Sequence, residues 1–188
     1  MKTTLASAVL ALALVHGAPA LAHDRDDLRS GPFFVTIDGV TGESKVKGHE
    51  GQIEGYNFSE TWRGGATTGS GGATGNPTLG PVVFNKVQGP ASLKLLGALL
   101  TGQHLSKVTI EFFDQAQDGK TVLSYRITLQ EVQVVGLNEK SAETRLVDEV
   151  QLVFGSARWE VFEPPESVTY DAKTNKAITA PTGGRSTR

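Results

Sequence analysis

Short runs of alternating apolar and polar residues recur along most of this chain and constrain its fold more than any other feature. In PFFVTIDGV, the residues Phe33, Val35 and Ile37 fall on one face of an extended segment, and KVTIEFFD repeats the alternation over 108–112. Successive side chains of a β-strand point to opposite faces, so a period of two indicates half-buried strands. The chain is therefore predicted to be mainly β, as a compact barrel or a two-sheet sandwich.

The later strands carry two further predictions. In VLSYRITLQEVQVVGLN the apolar residues keep one parity over 123–129 and then change parity after Glu131, to Val132 and Val134. Such a change predicts a β-bulge or a sharp bend. DEVQLVFGSARWEVFE contains two strand patterns separated at Gly155-Ser156, which predicts a terminal hairpin.

One helix is predicted among the strands, in PASLKLLGALLTGQH. It should run over about 92–101, with Ser92 as its N-cap and Gly102 as its C-terminal stop. Its leucines cover a wide arc, so we expect the helix to be well buried against the end of the barrel or sandwich. These leucines are Leu93, Leu95, Leu96, Leu99 and Leu100.

The first residues have the pattern of a cleaved signal peptide. Lys2 supplies a positive charge, an apolar run follows over 5–15, and Ala20, Leu21 and Ala22 fit an A-x-A cleavage site. We therefore expect the mature chain to begin at His23. The expected organisation is a signal peptide at 1–22, a polar linker at 23–31, a β-barrel domain at 32–163 and a polar C-terminal tail at 164–188.

A glycine-rich stretch, RGGATTGSGGATGNPTLGP, occupies residues 63–81 and is called the arm below. A loop of this length inside a compact domain is usually functional. No Gly-Lys-Ser/Thr follows the glycines and they do not fit G-x-G-x-x-G, so a nucleotide site is not predicted. We expect a flexible arm that contacts a neighbouring molecule.

The sequence offers little chemistry for catalysis. There is no cysteine, the net charge is −2, and the 18 basic and 20 acidic residues form no basic stripe that would indicate nucleic-acid binding. No serine lies in G-x-S-x-G. His49 lacks H-E-x-x-H spacing, and His104 follows the predicted helix stop, where a structural role is expected. No catalytic residue, cofactor or metal site is predicted.

Several motifs together resemble one family. FFVTIDGVTGESKVKGHEGQIEGYNFSETW, FNKVQGPASLKLLGALLTGQHLSKVTIEFF, YRITLQEVQVVGL and DEVQLVFGSARWEVFE occur in the order found in Hcp, the tube protein of bacterial type VI secretion. The resemblance extends over about residues 32–178. It implies a β-barrel with one helix, similar to the tube proteins of phage tails.

The resemblance also implies a function. Members of the family form hexameric rings that stack into a hollow tube, are expelled by contraction and can carry small effector proteins in the lumen. The protein would then be structural, with itself as its main partner and without an active site. The arm is the leading candidate for contacts between protomers, through Arg63, Gly64, Gly65, Gly71, Gly72, Asn76 and Pro77.

The signal peptide departs from this family pattern, because the tube of the family assembles in the cytoplasm. Met1 is the single methionine of the sequence, which favours it as the true start. Two alternatives therefore stay open beside the type VI tube. One is an exported Hcp-like protein that forms rings or filaments outside the cell or in the periplasm without a contractile machine. The other is a monomeric periplasmic binding module or enzyme on the same barrel.

Overall fold

A computed structural model describes residues 33–65, 75–142 and 145–181. These residues form eleven strands and one helix. In chain order they are β1 (Phe33–Ile37), β2 (Ile53–Ser59), β3 (Trp62–Gly65), β4 (Gly75–Leu79), β5 (Val82–Val87), α1 (Pro90–Thr101), β6 (His104–Gln115), β7 (Thr121–Ala142), β8 (Arg145–Val153), β9 (Ser156–Phe162), β10 (Pro165–Asp171) and β11 (Lys176–Pro181).

Six antiparallel strands close into a barrel, so the predicted mainly β fold is confirmed. Their order is β7-β6-β1-β2-β5-β8, and β8 pairs back onto β7 to complete the circle. The other neighbours in this circle also pair antiparallel. Closure leaves these six strands without a free edge between them.

The core follows the alternation seen in the sequence. Phe33, Val35 and Ile37 of β1 are all buried, and Phe33 packs edge to face against Phe58 and Phe84. The residue between them, Phe34, is covered on the other face of the strand, where it stacks on His49. Phe33, Phe34 and Val35 are therefore buried on both faces of β1, whereas Thr36 is exposed.

The predicted bend in β7 lies where the parity changes. Glu131 has a positive φ of 52°. On one side of it β7 pairs with β9 as far as Gln130, and on the other side β7 pairs with β8 from Gln133 onward. Because β7 is 22 residues long, it takes part in the barrel and in an extension built from β9, β10 and β11.

Two predictions for the C-terminal part were wrong. β8 and β9 do not form a hairpin with each other, since both pair with β7. The segment 164–188 is not simply a polar tail, because β10 and β11 extend the sheet from β9 through Pro181. VTYDAKTNKAI forms two short strands, because β10 pairs with the free edge of β9 and β11 then pairs with β10.

The helix begins two residues before the predicted start and is less buried than predicted. Gly89 is its N-cap and Pro90 occupies the first helical position, where its missing N–H costs nothing. Gly102 ends the helix in the left-handed conformation, with φ 67°, as predicted. Leu93 and Leu100 are 72% and 77% exposed, because Ala91, Leu95 and Ala98 form the side of the helix that joins the barrel core.

The arm is not a loop throughout. Its described ends form an antiparallel pair, in which Arg63 of β3 lies opposite Thr78 of β4. Gly71 and Gly72 lie outside the described residues. So do the predicted signal peptide, its cleavage residues Ala20, Ala22 and His23, and the linker 23–31. Among the described residues, no helix is long and apolar enough to cross a membrane.

Candidate functional site: a buried polar cluster, the helix face and the arm

His49 and His104 are the histidines in the described part of the chain, and each lies within hydrogen-bond distance of a glutamine side chain. The ring of His49 stacks on Phe34 with the ring centroids 3.7 Å apart, and its Nδ1 donates a hydrogen bond to Oε1 of Gln52, 2.7 Å away. His104 lies 2.6 Å from the side chain of Gln133. Across residues 33–65, 75–142 and 145–181, no three His, Cys, Asp or Glu side chains converge as metal ligands would.

A charged cluster lies buried where α1 meets the barrel. The ammonium of Lys86 is fully buried and donates hydrogen bonds to the Val87 carbonyl oxygen at 2.5 Å and to Ser92 Oγ at 3.0 Å. It lies 3.6 Å from Asp148, which is also fully buried. Ser92 Oγ in turn donates to Asp148 and accepts the N–H of Gly89. One hydroxyl thus joins the helix N-terminus to β5 and β8.

Glu43 completes this cluster from the loop after β1. One of its oxygens lies 3.7 Å from Lys86, and burial raises the pKa of the carboxyl although the charge of Lys86 lowers it. Its two oxygens and one oxygen of Asp148 are buried without a hydrogen-bond partner. The cluster was not predicted from the sequence. Its signal was a charged residue at an inward position of VVFNKV, in phase with Val82 and Phe84.

The opposite side of α1 is apolar and open. Ala91, Leu95 and Ala98 join the barrel core, whereas Leu93 and Leu100 point away from it. Two leucines about two turns apart on one helix form a row that another surface can cover. Since the described residues leave this row uncovered, we call Leu93 and Leu100 the helix face and treat it as a candidate surface for contact with another molecule.

The predicted interface residues at the described ends of the arm lie in two different environments. Arg63 and Gly64 are exposed on β3, and Gly65 is half-buried. Asn76 instead accepts a hydrogen bond from Asn175, in the turn between β10 and β11. Pro77 lines a cavity that the arm shares with the C-terminal strands. The arm therefore contacts its own chain through β4.

That cavity is an aromatic groove between the arm and the C-terminal strands. Its volume is about 360 Å³, and its walls include the rings of Trp62, Tyr125, Trp159 and Tyr170. The two indoles meet edge to face, with centroids 6.0 Å apart. The groove was not predicted from the sequence, since its walls come from six different strands.

The carboxylate of Glu60 lies beside the indole of Trp159. Trp159 Nε1 donates to both oxygens of Glu60, at 3.2 and 3.1 Å. Burial raises the pKa of Glu60, while hydrogen bonds from Trp159 and Trp62 lower it. Burial also raises the pKa of Tyr125 to about 12, with a smaller contribution from the charge of Glu60. The Glu60 carboxylate thus interacts with three residues that line the groove, namely Trp62, Tyr125 and Trp159.

The described residues define a closed antiparallel β-barrel protein with one helix, a hairpin arm and a C-terminal sheet extension. The family model described as "Type VI secretion system effector, Hcp" matches residues 34–161, which is more than half of the chain. The chain belongs to this family, as its motifs indicated.

Relatives agree with this assignment. The chain is 32% identical over 104 residues to the "Major exported protein" of Pseudomonas aeruginosa, an alignment that covers 55% of this chain and 60% of that protein. The chain thus spans about 60% of the length of the relative it matches. Among solved structures, Hcp1 from Salmonella typhimurium has a TM-score of 0.66 at 20% identity, over 78% of this chain and 98% of that chain. A type VI secretion system effector from Yersinia pestis has a TM-score of 0.63 at 19% identity, over 74% and 99%. These structures establish the shared fold.

Proposed function

We propose that this protein is a structural subunit that assembles into hexameric rings, which stack into a hollow tube linked to type VI secretion. The protein has no catalytic role in this proposal and needs no cofactor. Its principal partner is a second copy of itself, and small effector proteins in the lumen are further partners. Membership of the Hcp family over residues 34–161 carries the proposal.

The helix face supports self-association. Leu93 and Leu100 expose apolar surface that a monomer gains nothing by exposing. Burying exposed apolar area contributes about 25 cal/mol per Å², so two leucines at the centre of a contact would strengthen it measurably. The described end of the arm, with Arg63 exposed, is the second surface proposed to contact a neighbour.

Assembly can be tested by negative-stain electron microscopy and native mass spectrometry of the purified protein. The proposal expects six-fold rings for the wild type. Leu93→Lys/Leu100→Lys should shift the protein to monomers, whereas Leu93→Met/Leu100→Met, which keeps the face apolar, should still form rings. Arg63→Glu should weaken rings without lowering the monomer's unfolding midpoint. A wild type that stays monomeric at all concentrations would contradict the proposal and favour a monomeric binding module or enzyme.

We further propose that the protein is secreted after cleavage before His23, with the periplasm as the alternative destination. The signal-peptide pattern of residues 1–22 supports export, as does similarity to a relative named for being exported. Intact-mass measurement on fractionated cells tests this. A chain starting at His23 in the medium or periplasm is expected, and cytoplasmic protein that retains residues 1–22 would refute it. Export without a contractile machine would yield rings or filaments in cells that lack that machine.

A further inference from the structure

We propose that the aromatic groove between the arm and the C-terminal strands binds a small organic cation, of the quaternary ammonium class. The groove belongs to one protomer and is separate from the helix face. Its volume of about 360 Å³ lies within the range of about 300–1,000 Å³ that is usual for small-molecule sites. The proposal goes beyond ring assembly, since a monomer would bind equally well.

Four aromatic rings supply the recognition. Trp62, Tyr125, Trp159 and Tyr170 come from β3, β7, β9 and β10, so four strands direct aromatic side chains to one cavity. Aromatic faces carry negative potential, and several rings around one cavity attract a cation whose charge lies on alkyl groups. Trp62 is 54% exposed, which leaves the entrance of the groove accessible from solvent.

The charge of Glu60 selects a cation over a neutral ligand of the same shape. Trp159 Nε1 donates to both of its oxygens, at 3.2 and 3.1 Å, so the carboxylate lies directly beside one of the rings that line the groove. None of the salt bridges formed within the described residues involves Glu60. A half-buried carboxylate without a cation beside it favours a positively charged occupant through low-dielectric attraction.

The nature of the walls decides between kinds of cation. The residues that line the groove are apolar or aromatic, and beside the four rings they include Leu79, Val168 and Ala177. A primary ammonium would lose hydrogen bonds to water here without replacing them, at a considerable free-energy cost. A quaternary ammonium has no N–H to satisfy, and its methyl groups fit an apolar wall. The geometry therefore favours choline-like ligands over lysine-like ones.

The tryptophans make the test direct. The chain has two tryptophans, Trp62 and Trp159, and both line the groove. Intrinsic fluorescence thus reports on this site alone. Titration of the full chain with choline should change the emission saturably. The neutral isostere 3,3-dimethylbutan-1-ol, which has the same shape without the charge, should bind roughly tenfold more weakly.

Variants locate the site. Trp62→Ala changes an exposed ring, leaves Trp159 as the reporter and should weaken choline binding roughly tenfold. Glu60→Gln should weaken choline but leave the alcohol unchanged. Leu93→Ala, on the distant helix face, is the matched control and should bind choline like the wild type.

Three outcomes would overturn the proposal. Equal binding of choline and 3,3-dimethylbutan-1-ol would show an apolar site without charge selection. Choline binding that survives both Trp62→Ala and Glu60→Gln would place the ligand elsewhere. Absence of a saturable change at choline concentrations up to about 100 mM, a free energy of only about 1.4 kcal/mol, would show that no site exists. Ring formation by the same sample remains a separate readout.

Discussion

Replacing Lys86 by methionine tests whether the buried polar cluster stabilises the fold. The change keeps a long side chain but removes the ammonium that bonds the Val87 carbonyl oxygen and Ser92 Oγ. Asp148 would stay fully buried near Glu43, without the cation that now lies 3.6 Å away. Removing one member of a buried pair costs about 3–5 kcal/mol, which for a domain of this size lowers Tm by roughly 6–20 °C.

The assay is urea unfolding followed by circular dichroism at one protein concentration, because the unfolding midpoint of any oligomer would depend on concentration. Lys140→Met is the matched control. Lys140 pairs with Glu149, the neighbour of Asp148 on β8, at 2.8 Å, but its side chain is 62% exposed. Water screens that pair, so Lys140→Met should cost less than about 1 kcal/mol, well below the cost of Lys86→Met.

A double variant separates pairing from packing. Lys86→Met/Asp148→Leu removes the two fully buried charges and should recover part of the stability lost by Lys86→Met alone, because Glu43, whose side chain is 22% exposed, is then the one charge of the cluster left without its partner. The reasoning fails if Lys86→Met unfolds at the same urea concentration as Lys140→Met. It also fails if the double variant is as unstable as the sum of its two single variants.

Three further perturbations test other parts of the structure. Gly55→Ala would place a methyl group against the ring of Phe33, closer than two carbon atoms can approach. The overlap should lower the free energy of unfolding in urea by about 1–3 kcal/mol. Full wild-type stability would disprove the overlap. The pKa of Glu149 is lowered to about 2, mainly by the hydrogen bond from Lys140. Wild type should therefore be more stable than Glu149→Gln above pH 4.5, and this advantage should be lost as the pH falls toward 2. Burial raises the pKa of Tyr125 to about 12. Wild type should therefore lose stability relative to Tyr125→Phe as the pH rises from 10 toward 12. Parallel curves of unfolding free energy against pH for the two proteins would contradict this.

The strands were predictable because alternation and burial coincide. Phe33, Val35 and Ile37 were assigned to one face and all are buried. Strand pairing was not predictable to the same degree, because alternation identifies a face but not a neighbour. The turn at Gly155 suggested a hairpin, yet the bend at Glu131 lets one long strand pair with both β8 and β9.

The helix shows a different limit of the sequence pattern. Leucine at helical spacing indicated the buried side, but Leu93 and Leu100 face outward, while Ala91 and Ala98 are buried in the core beside Leu95. Small residues allow the helix to approach the sheet closely, and a pattern that weighs apolar size overlooks them. The aromatic groove was beyond prediction for another reason, since its rings come from strands whose pairing could not be derived.

The buried cluster explains why one face of α1 was selected for the core. Leucines lie on both sides of the helix, so apolar burial alone discriminates weakly between them. Ser92 Oγ can bond both Lys86 and Asp148 only when the first turn of the helix faces β5 and β8. The polar contacts therefore fix the rotation of the helix and, with it, the outward direction of Leu93 and Leu100. If this is correct, Lys86→Met/Asp148→Leu should regain stability and still form fewer rings than wild type in electron microscopy. Rings at the wild-type level in that variant would show that packing alone orients the helix.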